Sequence, residues 1–382
     1  MKSKKVKSKT SFILKFIFTI NIIFLISIIL SIIAPYIPPD QFWPIAFMGL
    51  SYPIFFLINI FFLVFWLIFK KKYAIWVILV LVLGTNHFLK IVQSNKKVNE
   101  SELQNATKVI SFNVKNFDIY NYKKNWQHNF TNRNKILQLL EEEQPNILCF
   151  QEYIHDKSGV FKTTDTLKKI LNTKFKHIVY TTNSKNINYF GIATYSSYPI
   201  IDTGRIEFKT ISGNIGIFTD IKINEDTVRV YNVHFESIRL KSEDYIFAEK
   251  VKKDINNDSL ALRKNSERIM ARLKRAYVIR APQVRLVAEH MKKCPYPIIL
   301  CSDFNDTPVS YAYHTISSLL KDAFVESGNG IGQTYAGIFP SFRIDYIMYS
   351  KEFYSSNFET IQDEMSDHYP IKCFLQLNKK EE

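Results

Sequence analysis

Residues 1–91 carry three long apolar runs without a charged side chain. The runs extend from Phe16 to Pro35, from Phe42 to Phe69 and from Tyr73 to Leu89. A helix of about 20 apolar residues crosses a bilayer, so the pattern predicts three transmembrane helices at about 16–35, 42–69 and 73–89. A cleaved signal peptide is the alternative for the first run, but no small-x-small site follows it. A buried core helix is the alternative for the third run, which is close to the lower length limit.

Beyond Leu89 the apolar residues fall into short runs separated by turn residues, which is typical of β-strands. One helix is predicted from about Thr131 to Glu143 and another after Pro308. A longer helical segment occupies about 238–293, with Pro282 as a break. The predicted strands are KVISFNV (108–114), NILCFQE (146–152), KHIVYTT (176–182), FGIATYS (190–196), NIGIFTDIKI (214–223), TVRVYNVHF (227–235), 297–303, RIDYIMYS (343–350) and PIKCFLQL (370–377). Strands interspersed with helices predict an α/β fold with two packed sheets covered by helices.

These patterns divide the chain into three parts. Residues 1–91 are predicted to form a membrane anchor, 92–107 a linker, and 108–382 a soluble domain with a helical insertion at about 238–293. Lysines precede the first apolar run and separate the second from the third at positions 70–72. Because cytoplasmic loops carry the excess of lysine and arginine, the N-terminus is predicted to be cytoplasmic. Three crossings would then place the soluble domain outside the cytoplasm.

The formal net charge of +15 is unevenly distributed. Residues up to Lys90 hold ten lysines and one acid, so much of the charge flanks the apolar runs and is no argument for nucleic-acid binding. The segment 238–293 holds fifteen basic and seven acidic residues. A solvated helical face is the favoured interpretation of this segment. A basic cover that approaches an anionic membrane or substrate is the alternative.

The four cysteines give no sign of a metal or disulfide framework. Cys149, Cys301 and Cys373 lie inside apolar runs and are predicted to be small buried core residues, and Cys294 stands apart from them. The sequence has no CxxC pair and no cluster of His and Cys. It therefore predicts neither a zinc site nor a set of disulfide bonds.

Six predicted strands carry polar side chains at one end, and a buried strand does not need such side chains. Asp303 and Asn305 are two positions apart, so both face the same side of an extended chain. Any one of these groups alone would be interpreted as a capping or half-buried structural residue. Their repetition at successive strand ends suits a hard cation, because Mg²⁺ prefers oxygen ligands. The groups are Asn113, Glu152, Asn232 with His234, Asp303 with Asn305, Asp345, and Asp367 with His368.

Seven strings of the sequence resemble the motifs of the endonuclease/exonuclease/phosphatase superfamily, in the order of that family and over about 108–376. They are ISFNV, LCFQE, GIATYSSYPI, VYNVHFES, ILCSDFNDTP, RIDYIM and MSDHYPI. The resemblance implies a four-layer sandwich of two packed mixed β-sheets flanked by helices. With the predicted spans in front, the chain looks like a membrane-tethered bacterial branch. That likeness implies a multi-pass protein of the bacterial inner membrane.

The resemblance also implies a metal site and a position for the attacking water. Glu152 would be the principal ligand of Mg²⁺ or Mn²⁺, assisted by Asn113 and Asp367. Asp303 and Asn305 match the pair that orients or activates the water. An acid and an amide suit that task, because the acid can accept a proton while the amide orients the nucleophile.

Two histidines complete the set that the resemblance implies. His234 would stabilise the phosphoryl oxygens, and His368 would contact the scissile phosphate. Asp345 would hold His368, fix its tautomer and favour its charged form. One position departs from the family pattern, because Ser302 stands where the family usually has glycine.

These expectations define a metal-dependent hydrolase of phosphodiesters or phosphomonoesters that is tied to a lipid bilayer. Its substrate would be a lipid head group, a small molecule or nucleic acid. A nuclease acting on DNA or RNA is the alternative, but a duplex reader would show a basic surface around its site, and outside the insertion this domain is slightly acidic. A non-catalytic membrane scaffold is a third alternative, although every catalytic position is filled. The oligomeric state is left open.

Overall fold

The computed structural model of the protein describes residues 2–124, 126–209, 213–252, 259–337 and 343–378. Its N-terminal part is helical. The second predicted span is wrong as a single helix, because the run 42–69 forms two helices that meet at Ser51. Each of the two begins with a proline in its first turn, where the missing N–H costs nothing. The helices are α1 (Lys2–Ile33), α2 (Pro44–Leu50), α3 (Tyr52–Phe69) and α4 (Lys71–Phe88), with a 3-10 turn at Ala34–Tyr36.

Two helices of the described residues are long and apolar enough to cross a membrane, not the three predicted. They are Phe12–Tyr36 and Tyr52–Phe69. Helix α4 contains the third predicted span but does not qualify. Its 18 residues include two lysines at the start and an Asn-His pair near the end, and these polar side chains lower its mean hydropathy.

The N-terminal helices bury a few polar side chains within an apolar cluster and also leave many apolar side chains exposed. Trp66 Nε1 donates to Asn21 Oδ1 at 2.9 Å, and both side chains are buried. Helix α4 runs antiparallel along α3, since the rings of Trp66 and Tyr73 lie 5.0 Å apart near one end and those of Phe56 and Phe88 4.9 Å apart near the other. The three long helices therefore form one bundle.

The remainder of the chain forms two six-stranded mixed sheets. In chain order the strands are β1 (Gln93–Ser94), β2 (Thr107–Asn113), β3 (Ile147–Asp156), β4 (Phe175–Ser184), β5 (Asn188–Ser196), β6 (Ile200–Glu207), β7 (Ile215–Ile223), β8 (Asp226–His234), β9 (Ile298–Asp303), β10 (Lys321–Asp322), β11 (Asn329–Gly330), β12 (Asp345–Tyr349), β13 (Phe353–Thr360) and β14 (Ile371–Leu377). The first sheet has the order β13-β14-β2-β3-β5-β4, the second has the order β10-β12-β9-β8-β7-β6, and β1 pairs with β11 separately.

Helices cover the outer faces of both sheets, which confirms the predicted α/β fold with two mixed sheets flanked by helices. The helices are α5 (Thr131–Glu143), α6 (Thr163–Ile170), α7 (Ser242–Lys252), α8 (Ser259–Lys292), α9 (Tyr311–Ser317) and α10 (Ala323–Ser327), with 3-10 turns at Glu100–Leu103 and Lys115–Asp118. Helices α5 and α6 pack on the first sheet, and α8 and α9 pack on the second. The cluster between the sheets includes Cys149, Cys301 and Cys373, which are buried as predicted and are free thiols.

Three details of the predicted elements need correction. The strands β6 and β13 were not predicted, because neither contains a continuous apolar run: β6 is largely exposed and β13 is mostly half-buried. The two-residue strands β1, β10 and β11 were not predicted either. Pro282 does not break the insertion, since α8 continues from Ser259 to Lys292 with the proline inside it. The predicted linker is also partly structured, because β1 pairs with β11.

Candidate active site

Strand pairing alone brings three of the predicted residues into one row. In the parallel pair β8–β9, His234 lies opposite Asp303. In the antiparallel pair β9–β12, Asp303 lies opposite Asp345. In the other sheet the parallel pair β2–β3 places Asn113 beside Gln151, the residue before Glu152. Because the sheets are stacked, the ends of β2, β8 and β9 meet the irregular part of β3 around Glu152, and open α/β sheets form their ligand crevices at such strand ends.

A buried Asp–His pair forms one side of this cleft. His368 Nδ1 lies 2.9 Å from Asp345 Oδ2, and Nε2 lies 3.9 Å from Asp303 Oδ2. The hydroxyl oxygen of Thr334 accepts a hydrogen bond from the Asp345 backbone N–H at 3.1 Å. Burial lowers the pKa of His368, but the carboxylates of Asp345 and Asp303 outweigh it, so the pKa is raised well above its ordinary value. This environment favours the cationic form of the imidazole, whose Nε2 is directed towards Asp303.

Asn113, Glu152 and His234 form the other side of the cleft around Asp303. Asn113 Nδ2 lies 3.3 Å from Glu152 Oε1 and 3.0 Å from Asp303 Oδ2. His234 Nε2 lies 3.5 Å from Asp303 Oδ2 and 4.0 Å from Glu152 Oε1. These side chains and the Asp345–His368 pair converge on Asp303, whose carboxylate is buried.

Backbone irregularities aim two of these side chains. Glu152 sits at a shift in the pairing of β3 with β5 and has a φ of 51°. Such bulges redirect side chains beside active sites, and a non-glycine residue at positive φ is a local strain that functional sites retain. Asn305 also has a positive φ, 52°, and its backbone N–H donates to Asp303 Oδ1 at 2.8 Å. Its side-chain amide donates to the Phe235 carbonyl at 3.2 Å, so Asn305 fixes the Asp303 carboxylate through the backbone.

A hard divalent cation fits the donor set between the two sheets. The carboxylates of Glu152 and Asp303 face the same amide, Asn113, and oxygen ligands are what Mg²⁺ and Mn²⁺ prefer. His234 Nε2 is buried there and makes no hydrogen bond with any residue that the structure describes. The ligand atoms of Asp303, Asp345 and His368 also lie within 4.8 Å of one another. In that second group, however, His368 Nδ1 already contacts Asp345. A cation would therefore be accommodated better beside Glu152.

Asp367 is the one predicted ligand with a different partner. Its Oδ2 lies 3.5 Å from Lys115 Nζ. Burial lowers the pKa of Lys115, but Asp367 and Asp118 outweigh it and raise the pKa, so the amine stays charged. Ser366 Oγ donates to the Asn113 carbonyl at 2.9 Å and thereby ties this segment to the end of β2.

A polar cavity of about 310 Å³ opens beside this ion pair. Lys115 begins a left-handed turn, in which the φ angles of residues 115–118 lie between 46° and 58°. The cavity is lined by Lys115, Asp118, Asn132, Ala336, Glu364, Ser366 and Asp367. Its lining residues Ser366 and Asp367 directly precede His368 in the chain, and Lys115 and Asp367 offer both charges to a bound group.

The arginines of the insertion form ion pairs with buried carboxylates that the sequence analysis did not identify. Arg280 Nη1 lies 2.6 Å from Asp306 Oδ2. Glu236, two residues after His234, accepts from Arg275 Nη2 at 2.5 Å. Asp244 is paired with arginines 268 and 272 of α8. The favoured interpretation of a solvated basic face is therefore incomplete, because these arginines fasten α7 and α8 to the active-site end of the second sheet.

Comparison with solved structures found several similar chains. An endonuclease/exonuclease/phosphatase family protein from Leptotrichia buccalis is 16% identical, covers 71% of this chain and 100% of its own, and has a TM-score of 0.50. A protein of the same description from Bacteroides vulgatus is 16% identical, with 72% and 99% coverage and a TM-score of 0.49. The catalytic domain of human Nocturnin is 16% identical, with 74% and 98% coverage and a TM-score of 0.47. At this identity the first likeness supports the fold.

Two stacked mixed sheets with acids and histidines at their common edge define the fold and site of a phosphate-ester hydrolase. The chain belongs to the Endonuclease/Exonuclease/phosphatase family, whose model matches residues 110–368. A second model, described as a domain of unknown function, matches residues 14–91. No match is found among curated proteins. The resemblance inferred from the seven strings is therefore confirmed.

Proposed function

We propose that the protein is a divalent-metal-dependent hydrolase of phosphate esters that is held at a membrane. The observation that carries the proposal is the position of the Asp303 carboxylate. It is buried, accepts hydrogen bonds from Asn113 and Asn305, and lies between two imidazoles. A carboxylate fixed in this way is suited to accept a proton from water as the water attacks phosphorus.

The other side chains would bind the phosphoryl group and the cation. Glu152 would hold Mg²⁺ or Mn²⁺ with Asn113, and Asp367 remains a predicted third ligand. A bound cation would offset charge that develops on the phosphoryl and leaving oxygens. His234 Nε2 could donate to a phosphoryl oxygen, because among the described residues it makes no hydrogen bond and its nearest carboxylate oxygen, Asp303 Oδ2, is 3.5 Å away. The cationic His368 would contribute the same kind of charge stabilisation.

Metal dependence is the first test of this function. Full-length protein in detergent, supplied with Mg²⁺, should hydrolyse bis-p-nitrophenyl phosphate, and EDTA should remove the activity. Glu152→Gln should lower the rate at limiting Mg²⁺ by about 10–100-fold, the loss that a weakened metal site typically produces. Glu207→Gln, at a side chain that is 73% exposed, is the matched control. Equal turnover with and without EDTA would refute the metal assignment.

The packing of the N-terminal helices supports membrane attachment. Leu57, Phe61 and Ile68 on α3 are 64%, 69% and 71% exposed, whereas the polar side chains of Asn21 and Asn59 are buried. Water-soluble proteins rarely expose such continuous apolar surface, while membrane helices place their polar groups inside the bundle. Lipid around the helices would cover the exposed apolar side chains of α3.

The predicted extracytoplasmic position of the catalytic domain requires an odd number of crossings. We retain that position as part of the proposal. It is supported by the path of α4, which runs back along α3 and ends beside Tyr52, where the Tyr52 hydroxyl donates to the Gly84 carbonyl. Alkaline phosphatase fused after Glu382 should therefore be active in bacterial cells, since it folds with its disulfides only outside the cytoplasm. An inactive but full-length fusion would contradict this orientation.

The two other functions considered receive less support. A nuclease would use a basic surface to bind phosphates, but at least four arginines of the basic insertion are paired with carboxylates. A scaffold would not need the buried pair of Asp345 and His368. Plasmid DNA and RNA as substrates test the nuclease directly, and steep inhibition of their cleavage by salt would favour it.

A further inference from the structure

The catalytic domain packs directly against the N-terminal helices. The guanidinium of Arg285 on α8 makes two hydrogen bonds with Asp40, with Nη2 at 2.5 Å from Oδ2 and Nη1 at 3.1 Å from Oδ1. The ring of Phe47 on α2 lies 5.7 Å from that of Tyr277 on α8 and is perpendicular to it. A polar contact and an aromatic contact therefore fix α8 against the segment between α1 and α3.

A second contact joins these helices to the loop that follows the catalytic strand. Val309 is buried in the same cluster as Tyr52 and Val77. A Cβ placed on Gly49 would lie 2.4 Å from the Val309 carbonyl oxygen, so the two backbones approach as closely as glycine allows. Val309 follows Asp303 by six positions.

Arg343 forms the third contact, at the end of α4. Its side chain is buried, donates through Nη2 to the Lys90 carbonyl at 2.8 Å, and places Nη1 2.7 Å from Asp322 Oδ2. A cation is favourable at the carboxyl end of a helix, where unpaired carbonyls concentrate. Arg343 precedes Asp345 by two positions.

The predicted linker does not act as a free tether either. Gln93 pairs with Gly330 and Ser94 with Asn329. The side chain of Asn357 on β13 makes two hydrogen bonds with the backbone of Val98, at 2.7 and 2.8 Å. The segment is therefore fastened to the catalytic domain immediately after α4.

These contacts limit the distance between the active site and the helices. A chain advances at most about 3.6 Å per residue. The Cα of Asp303 is therefore within about 22 Å of Val309, and that of Asp345 within about 7 Å of Arg343. The catalytic cleft stays close to the bundle and cannot swing away on a flexible segment.

We propose that the substrate is the phosphate ester of a lipid in the same bilayer as the helices, an inference that rests on the proposed function. Fixed packing keeps the cleft near lipid head groups, and membership of one bilayer raises their effective concentration at the site. The cavity of about 310 Å³ beside Asp367 is at the lower end of small-molecule sites and suits a single polar head group. Water would attack phosphorus, the bond from phosphorus to the head-group oxygen would break, and that oxygen would leave with a proton.

Two substrates with the same leaving group test the proposal. Full-length protein in phosphatidylcholine nanodiscs is given either soluble bis-p-nitrophenyl phosphate or a phospholipid whose head group is p-nitrophenol, and p-nitrophenolate release is measured. At equal bulk concentration, the lipid in the protein's own disc should be hydrolysed about 10²–10⁴ times faster than the soluble ester, through effective concentration. The same lipid in separate discs should react slowly.

The outcomes separate the two levels of the proposal. Hydrolysis of the soluble ester without any advantage for lipid in the same disc would overturn the lipid substrate and leave the phosphoesterase intact. Absence of turnover on both substrates, with folded protein and Mg²⁺, would overturn the proposed function itself. Faster cleavage of DNA than of either ester would also overturn the lipid substrate.

Charge reversal at the interface tests the role of the fixed packing. Asp40→Arg or Arg285→Asp alone should lower hydrolysis of the lipid about 10-fold, the effect of roughly 1.4 kcal/mol, and leave the soluble ester unaffected. The double variant should restore lipid hydrolysis, because the ion pair is re-formed in reverse. Arg263→Asp, at an exposed pair on the same helix, is the control and should change neither rate. Equal losses on both substrates, or no loss on the lipid, would contradict the proposal.

Discussion

Replacing Asp303 by asparagine should lower kcat for bis-p-nitrophenyl phosphate by about 10²–10⁴-fold, the contribution of a positioned general base. Asparagine keeps the shape of the side chain but cannot accept the proton of the attacking water. KM should change much less, because the imidazoles of His234 and His368 would still face the phosphoryl group. Steady-state kinetics at saturating Mg²⁺ separates the two constants.

Loss of folding would produce the same loss of rate, so the variant needs a structural control. Asp303 accepts hydrogen bonds from Asn113 and Asn305, and an asparagine side chain in its place offers one oxygen instead of two. Thermal unfolding should therefore show a modest decrease in Tm, whereas Asp226→Asn, at the exposed first residue of β8, should affect neither Tm nor kcat. A variant that keeps more than about a tenth of the wild-type kcat would exclude Asp303 as the base, since base catalysis typically contributes at least about 10²-fold.

Much of the candidate active site could be predicted from the sequence, because most of its residues stand at or directly beyond the ends of regular strands, although Glu152 lies at a bulge within β3. His234, Asp303 and Asp345 are brought together by strand register alone. Register depends on alternation and on which ends are buried, and both can be read from a short apolar run. The acids and histidines of the cleft were therefore identified without knowledge of their distances.

Long-range pairing was not predictable in the same way. Asp306 lies within the string ILCSDFNDTP, but its partner Arg280 is 26 positions earlier, inside a helix with more basic than acidic residues. The net charge of the segment 238–293 favoured a solvated face or a cover over an anionic membrane or substrate, whereas four of its arginines pair with buried carboxylates. Arg343 gives no local signal either, although it joins Lys90 to the strand that carries Asp345. Periodicity describes which side of an element is buried, not which distant residue meets it there.

The break between α2 and α3 at Ser51 and the continuity of α8 through Pro282 show a related limit of predicting helix boundaries from local sequence. A proline in the first turn of a helix costs nothing, but within a helix it removes one hydrogen bond and introduces a steric clash. Tertiary packing decides whether such a cost is tolerated. Val284, Val287 and Ala288 follow Pro282 and are buried against the second sheet, so burial of this apolar face supports the helix beyond the proline.

Asp345→Asn should produce the second large loss, a decrease in kcat of about 10²-fold or more, because general acid–base and charge-stabilising groups contribute on that scale only when correctly oriented. Asp345 Oδ2 lies 2.9 Å from His368 Nδ1. The carboxylate both fixes the ring and favours its charge. An asparagine at position 345 could still hydrogen-bond to His368 but carries no charge. His368 would therefore lose its nearest negative charge while it remains buried.

The pH dependence distinguishes this role from a merely structural one. In the wild type the pKa of His368 is raised by Asp345 and Asp303, against burial, so the cation persists above the ordinary histidine pKa of about 6.5. Activity should therefore fall only as pH rises through the raised pKa of His368. The stability that the Asp345–His368 pair contributes is fully present below about pH 6.5 and should be lost over the same rise in pH. In Asp345→Asn this alkaline limb should move to lower pH. Asp363→Asn, at a half-exposed ion pair, should leave the profile unchanged, and an unshifted limb in Asp345→Asn would show that Asp345 does not hold the charge of His368.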